Sequence, residues 1–400
     1  LSDGAIEVVS DVAPAVGGEL LIDVGPVDAA ALEDGPVVAT ASLSDAAGNV
    51  VVCSFTLTKD VVVASAVGAQ VAASSANAAH VINGATASSV DAYVFVSSDA
   101  EPGDVLTVVF GDAFGSNVVA SAPAPIGGGA SVFSQQDLSS LGDGPVSVVA
   151  RIQDPAGNQS TFVGTNAIKD TTDPAAPTSA GIAAGGNNAA HVINAATCPS
   201  VAATVALGAG SQATDVVRVI LSDGSTQVVS ATQPGTNGAG TLTFPGLDGS
   251  TLADGPCSVH VEIVDAADNM ISFAGSPATK DSTAPDAPTS ANVASGANNQ
   301  AHVINGANVG AVEVSVALGA NSLPTDLVRV VLDDGVAQVT SVDQAAPNGA
   351  GSLTFAGLDA SGLADGTILV RVTVVDAANN PTAFVGTNAI KDTTDPAAPT

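Results

Sequence analysis

Residues 257–264 read Cys-Ser-Val-His-Val-Glu-Ile-Val, which sets Cys257, Val259, Val261 and Ile263 on one face and Ser258, His260 and Glu262 on the other. A period of two marks a half-buried β-strand, because successive side chains of an extended backbone point to opposite sides. The same alternation returns at Val146, Val148, Ala150 and Ile152, and at Ile368, Val370, Val372 and Val374. Outward from this strand, seven strands are expected near residues 180–193, 199–207, 214–222, 226–232, 238–246, 256–264 and 271–279. Turn residues such as Asp223-Gly224 and Gly235 to Gly240 separate them, and no segment carries the pattern of an amphipathic helix. About seven short strands in roughly 110 residues, with turns every 8 to 12, predict an all-β, seven-stranded immunoglobulin-like β-sandwich.

The sandwich is repeated. Lys-Asp recurs at Lys59, Lys169, Lys280 and Lys391, spaced by 110, 111 and 111 residues. His-Val-Ile-Asn begins at His80, His191 and His302, an Asp-Gly turn stands at Asp34, Asp143, Asp254 and Asp365, and an Asp-x-x-x-Asn turn begins at Asp45, Asp154, Asp265 and Asp376. A period this long belongs to an independently folding domain rather than to a solenoid. The organisation expected is residues 1–60 as the later part of a repeat, 61–170, 171–281 and 282–392 as whole repeats, and 393–400 as the start of another, arranged end to end. Leu1-Ser-Asp-Gly4 aligns with Leu221-Ser-Asp-Gly224, so the natural protein is expected to extend in both directions. Paired prolines in 170–178 and 281–289 favour extended, semi-rigid linkers, whereas Asp60-Val-Val-Val-Ala64 carries none.

With 39 acidic against 8 basic residues, the formal net charge is −31. Such a field repels nucleic acid and anionic lipid, both of which are bound through Lys and Arg, so neither is an expected partner. No apolar run is long enough to span a bilayer, so no membrane insertion is expected of these residues. The acidity has two readings, a highly charged exposed surface or a demand for divalent cations.

Topology places the carboxylates. Seven antiparallel strands carry the chain from one pole of the sandwich to the other. The Asp-Gly turn between the fifth and sixth strands then lies where the chain leaves, and the Asp-x-x-x-Asn turn where it enters. Stacking repeats would gather Asp34, Asp60, Asp154 and Asn158 at the first junction, and Asp143, Asp170, Asp173, Asp265 and Asn269 at the second. Asp254, Asp281, Asp376 and Asn380 would meet at the third. Calcium suits such a set, since it takes six to eight oxygen ligands in flexible geometry. The plain alternative is that Asp-Gly and Gly-Asn are favoured turn residues.

Asp-Ala-Ala-Gly-Asn49, Leu-Ala-Asp-Gly-Pro256 and Lys-Asp-Thr-Thr-Asp-Pro-Ala-Ala-Pro-Thr178, in fixed order and spacing, resemble the immunoglobulin-like repeats of very large bacterial adhesins and biofilm-associated surface proteins. The resemblance implies a secreted, extracellular location at the bacterial cell surface and calcium near domain junctions. It departs from the family at His80, His191 and His302, where an aromatic is more usual.

The function expected is structural: a stalk or spacer stiffened by calcium, whose partners are the neighbouring repeats of the same chain. Copies of itself are the partner in a second reading, a self-assembling surface layer, sheath or filament. A third is a ligand-binding adhesive module, against which stand short loops with one Tyr and no Trp. No nucleophile elbow, phosphate loop or zinc-protease helix is present, and an active site is rarely built four times over, so no enzyme is expected. The recurrent histidines read as packing residues in the second half of the first strand, and His260 as solvated. Cys198 and Cys257 fall on the second and sixth strands, where a bridge and two free thiols are both open; Cys53 is expected to be buried.

Overall fold

The alternating stretch forms the strand Gly255–Val264, and its odd-numbered side chains from Cys257 to Ile263 are all buried. The structure is a computed structural model that describes residues 1–15, 17 and 22–397. The tail expected to open another repeat, 393–400, therefore falls partly outside the described residues. The chain divides into two compact units, residues 1–172 with 267–269, and residues 173–266 with 270–400.

In the second unit, Ser179–Ile182, Val201–Leu207 and Gly240–Leu247 make a three-stranded antiparallel sheet. A larger sheet runs in the order Val192–Asn194, Ala278–Asp281, Gly255–Val264, Val216–Ser222, Gln227–Val229. Met270–Ala274 also pairs with Gly255–Val264. Ala203 and Val205 of the small sheet and Val219, Leu221 and Val261 of the large one are fully buried and share one core. Burying the valine and leucine side chains among them stabilises the fold by roughly 1.5–3 kcal/mol each. The same two sheets recur at Ser290–Val293, Val312–Leu318, Gly351–Leu358 and at Val303–Asn305, Ala389–Asp392, Gly366–Val375, Leu327–Asp333, Gln338–Thr340, around a separate core.

The first unit holds one sandwich of this kind, with a core between Ala64 and Ala167, and a two-stranded hairpin, Gly35–Ser44 with Val50–Lys59. The alignment of Leu1–Gly4 with Leu221–Gly224 reappears as pairing: Ser2 bridges Val38 as Ser222 pairs with Ser258.

Two expected strands are each broken in two. The stretch expected at 180–193 is Ser179–Ile182 in the small sheet and Val192–Asn194 in the large one. The switch is made at His191, whose φ of 63° is left-handed, as it is at His80 and His302. Histidine is among the few side chains enriched in that region. The His191 N–H donates to Ile182 O at 3.1 Å and its carbonyl accepts from Thr279 N at 2.9 Å, so one residue ties both sheets. The recurrent histidines thus sit at a crossover, not within a strand. His260 is half-buried rather than solvated.

The stretch expected at 271–279 breaks at Gly275, where the chain passes against the small sheet. A Cβ there would lie 2.7 Å from Ala180 O, and at the equivalent Gly164 and Gly386 it would lie 2.3 Å from Ala69 O and Ala291 O. Only a residue without a side chain permits that approach.

Cys53, expected to be buried, is exposed, because among the described residues no second sheet covers Val50–Lys59. Cys198 lies in a short 3-10 turn, Cys198–Ser200, ahead of the strand rather than on it, and both it and the buried Cys257 are free thiols.

Candidate functional site

The acidic turns sit at the ends of the large sheet. Each Asp-Gly turn needs its glycine, since Gly35, Gly144, Gly255 and Gly366 have φ between 125° and 137°. The aspartates are engaged by the recurrent lysines. Lys169 Nζ reaches Asp143 Oδ1 at 2.9 Å, Lys280 reaches Asp254 at 3.0 Å, Lys391 reaches Asp365 at 3.1 Å and Lys59 reaches Asp34 at 2.8 Å. Lys169, Lys280 and Lys391 are nearly fully buried, at 4–5% exposure. The Lys280 and Lys391 ammoniums also donate to Leu252 O at 2.7 Å and Leu363 O at 2.6 Å. Burial alone would raise the Asp254 carboxyl, but hydrogen bonds from Ser282 and Lys280 hold it at about 2. Asp143 is likewise lowered, with burial opposing and Lys169 and Thr171 prevailing.

The Asp-x-x-x-Asn turns close on themselves. Asp376 Oδ1 accepts from Asn380 N and Oδ2 from Asn380 Nδ2, both at 2.8 Å, and Asp154 holds Asn158 at 2.8 and 2.7 Å. Each asparagine then reaches the linker. Asn158 Nδ2 donates to Asp60 O at 3.0 Å, and Asn380 Nδ2 donates to Asp281 O at 2.9 Å and Thr283 O at 3.4 Å. Within the first unit, Asn269 Nδ2 donates to Asp170 O at 2.9 Å while its Oδ1 accepts from Gly84 N at 2.8 Å.

In the second unit the Asn380 amide oxygen completes a joint. It accepts from Ala195 N at 2.8 Å, just past the His-Val-Ile-Asn motif. Asn194, fully buried, donates back to Ala378 O at 2.9 Å, and Asn379 Nδ2 reaches Asn187 O at 3.0 Å. Asn380 is itself 1% exposed. Amides donating in both directions between two loops restrict their relative rotation as well as their separation.

Among the expected residues, the structure brings Asp281, Asp376 and Asn380 together through carbonyl, carboxylate and amide, and Asp60, Asp154 and Asn158 in the same manner. Asp34, Asp143 and Asp254 are spent on lysines. Asp170 contributes its carbonyl to Asn269, Asp173 is exposed on its linker, and Asp265 opens the turn that Asn269 ends. Among the described residues, no three His, Cys, Asp or Glu side chains form a group able to hold a metal ion. No helix among them is long and apolar enough to cross a membrane. Sequence reasoning overlooked Asn194 and the lysines. Lys169 follows Asp143 by 26 residues and Lys59 follows Asp34 by 25, a spacing that pairs them across adjacent strand ends.

No protein-family model matches the chain, and no curated protein matches it. Among solved structures it is similar to a tetra-tandem repeat from the extending region of a large adhesion protein, at 22% identity over 92% of this chain and 84% of that one, with a TM-score of 0.30. It is also similar to a calcium-stabilized adhesin with which an Antarctic bacterium reaches out and binds ice, at 24% identity over 90% and 82%, with a TM-score of 0.40. A bacterial ice-binding adhesin studied for host cell surface retention is 22% identical over 79% and 95%, with a TM-score of 0.33.

Proposed function

We propose that this chain is a spacer, the stalk region of a bacterial cell-surface adhesin, whose repeats 61–170, 171–281 and 282–392 set a distance between other parts of the protein. The observation that carries this reading is the joint inside the second unit, where the buried Asn380 ties a linker to a neighbouring sandwich. A chain selected only to fold in separate beads has no need for asparagine amides committed across a joint. Secretion to the cell exterior accompanies this reading, resting on the resemblance of the Asp-Gly, Asp-x-x-x-Asn and linker motifs.

Calcium at the joints is its finer part. The atoms around the Asn380 amide nitrogen are all oxygens, from Asp281 O, Thr283 O and Asp376 Oδ2, and oxygen-only sets suit a hard cation. The Asn380 amide nitrogen occupies the middle of this set, and for the amide oxygen to become a ligand the side chain would turn over and exchange its bond from Ala195 N for the ion. Asp376, Asn380 and the Asp281 and Thr283 carbonyls would hold the ion at this joint, with Asp154, Asn158 and Asp60 in the same roles at the first. Bound there, it would neutralise part of the −31 charge and stiffen the linker.

Small-angle scattering of all 400 residues in millimolar calcium and in chelator, with parallel melts, tests both parts. A compact globule of this length has a radius of gyration of about 21 Å. A clearly larger value is expected, and a value near 21 Å would defeat the spacer reading. Dimensions and melting temperature should both rise with calcium; no change removes the ion and leaves the amide joint.

A further inference from the structure

We infer that the last strand of each repeat is a mechanical clamp pinned by its buried lysine, an inference that rests on the spacer reading because only a tethering chain carries tension. The final strands Ala167–Asp170, Ala278–Asp281 and Ala389–Asp392 pair in parallel with Val81–Asn83, Val192–Asn194 and Val303–Asn305. Each pair joins a strand near the start of the repeat to the strand at its end. Tension on the chain ends therefore draws the two along their axes in opposite directions. Parallel strands so loaded share the force among their hydrogen bonds at once, whereas a hairpin pulled from its open end loses them one at a time. The bonds from Ile168 N to His80 O, Thr279 N to His191 O and Ile390 N to His302 O, at 2.8 to 2.9 Å, belong to this shared set.

The lysine adds resistance to sliding. Lys280 lies in the middle of its strand, and its ammonium is held by Leu252 O and Asp254 at the foot of the neighbouring strand Gly255–Val264. Asp254 also accepts from Ser282 N at 3.0 Å and Ser282 Oγ at 2.8 Å, beyond the end of the clamp. The ammonium also donates to Ser282 Oγ at 3.4 Å, which moves with it, so a slip of one residue would break its bonds to Leu252 O and Asp254 and leave a buried charge without its counter-charge, which is costly. Lys169 and Lys391 occupy the same place with Asp143 and Asp365. The pin is thus part of the barrier to forced unfolding as well as of folded-state stability.

Pulling single molecules of the full chain by its two ends tests the clamp. Lys280→Met should move one of the three sandwich unfolding events to lower force, with its unfolding rate extrapolated to zero force rising about tenfold. The other two events, with Lys169 and Lys391 intact, are internal standards. Should Lys280→Met leave that sandwich unfolded, so that only two events remain, Asp254→Asn serves in its place. It keeps the bond from Lys280 to Leu252 O but leaves the buried ammonium without its counter-charge, and a shift in the same direction is expected. Three events at wild-type force in the folded variant overturn the clamp, whatever happens to its melting temperature. Clamp failure leaves the scattering dimensions untouched, while a compact chain in scattering defeats the spacer reading without altering any unfolding force.

Discussion

Replacing Asn380 by alanine should cost the repeat 282–392 and its joint about 3 kcal/mol. The side chain makes three well-formed hydrogen bonds, to Asp281 O at 2.9 Å, Asp376 Oδ2 at 2.8 Å and from Ala195 N at 2.8 Å, besides a long one of 3.4 Å to Thr283 O. At 1% exposure its partners have little access to water when the amide is gone, so each bond is worth roughly 1 kcal/mol. Differential scanning calorimetry of the full chain should then show one transition lowered by roughly 10 °C, at about 4 °C per kcal/mol for a domain of this size. The bond to Ala195 N is separable by hydrogen exchange. Its loss should speed exchange of the Ala195 amide about fivefold, since 1 kcal/mol is a factor of that order. Unchanged exchange at Ala195 together with an unshifted transition would show that the asparagine is a turn residue and nothing more.

Acid should loosen the structure in a defined window. Asp254 and Asp223 are both held at about 2, Asp223 chiefly by the Ala253, Thr226 and Ser225 backbone N–H groups. Their folded values lie below the ordinary 3.8, so their contribution is present above about pH 4 and lost as pH falls through about 2; melts across that range should drop, and less so in Asp254→Asn. Gly386→Ala should cost about 3 kcal/mol in chemical denaturation, because its Cβ would stand 2.3 Å from Ala291 O, and a cost below 1 would refute the close approach. A maleimide should label Cys53 in the folded protein and leave Cys257 untouched until unfolding, since Cys257 is 1% exposed and burial pushes its thiol up; equal labelling by mass spectrometry would contradict the placement of both.

The strands that carry the core were legible because burial writes itself into alternation. Val216–Ser222, Gly240–Leu247 and Gly255–Val264 fall within a residue or two of the expected spans. The divided strands were not, because the break depends on a left-handed backbone at His191 and on Gly275 meeting Ala180, both long-range facts that local pattern does not encode. The pole to which each acidic turn belongs followed from strand count, and the contacts of Asn380 with Asp281 and of Lys280 with Asp254 agree with it. What escaped was the chemistry at those poles. Charge drew attention to carboxylates, while the joint is built from neutral amides such as Asn194, whose role depends on what the neighbouring sandwich presents. The lysines served as a ruler for the repeat because an isolated basic residue in an acidic chain reads as surface; their burial follows only from the pairing of strands.

The parallel pairing also governs how such a chain is made. Val192–Asn194 is synthesised early in its repeat but finds its partner only when Ala278–Asp281 appears, after nearly the whole repeat has left the ribosome. Until then the larger sheet has an open edge, and the strand that closes it is nearly the same in each copy, Ala-Ile-Lys-Asp at 167–170 and 389–392 and Ala-Thr-Lys-Asp at 278–281. A waiting edge can therefore accept the closing strand of the next repeat as readily as its own, and such exchange between neighbours is a characteristic error of repeated domains. Vectorial synthesis favours the correct partner, because each repeat's own closing strand emerges about 111 residues before its nearest substitute. Refolding from denaturant removes that head start, so strand exchange should be commoner in the refolded chain than in the newly made one.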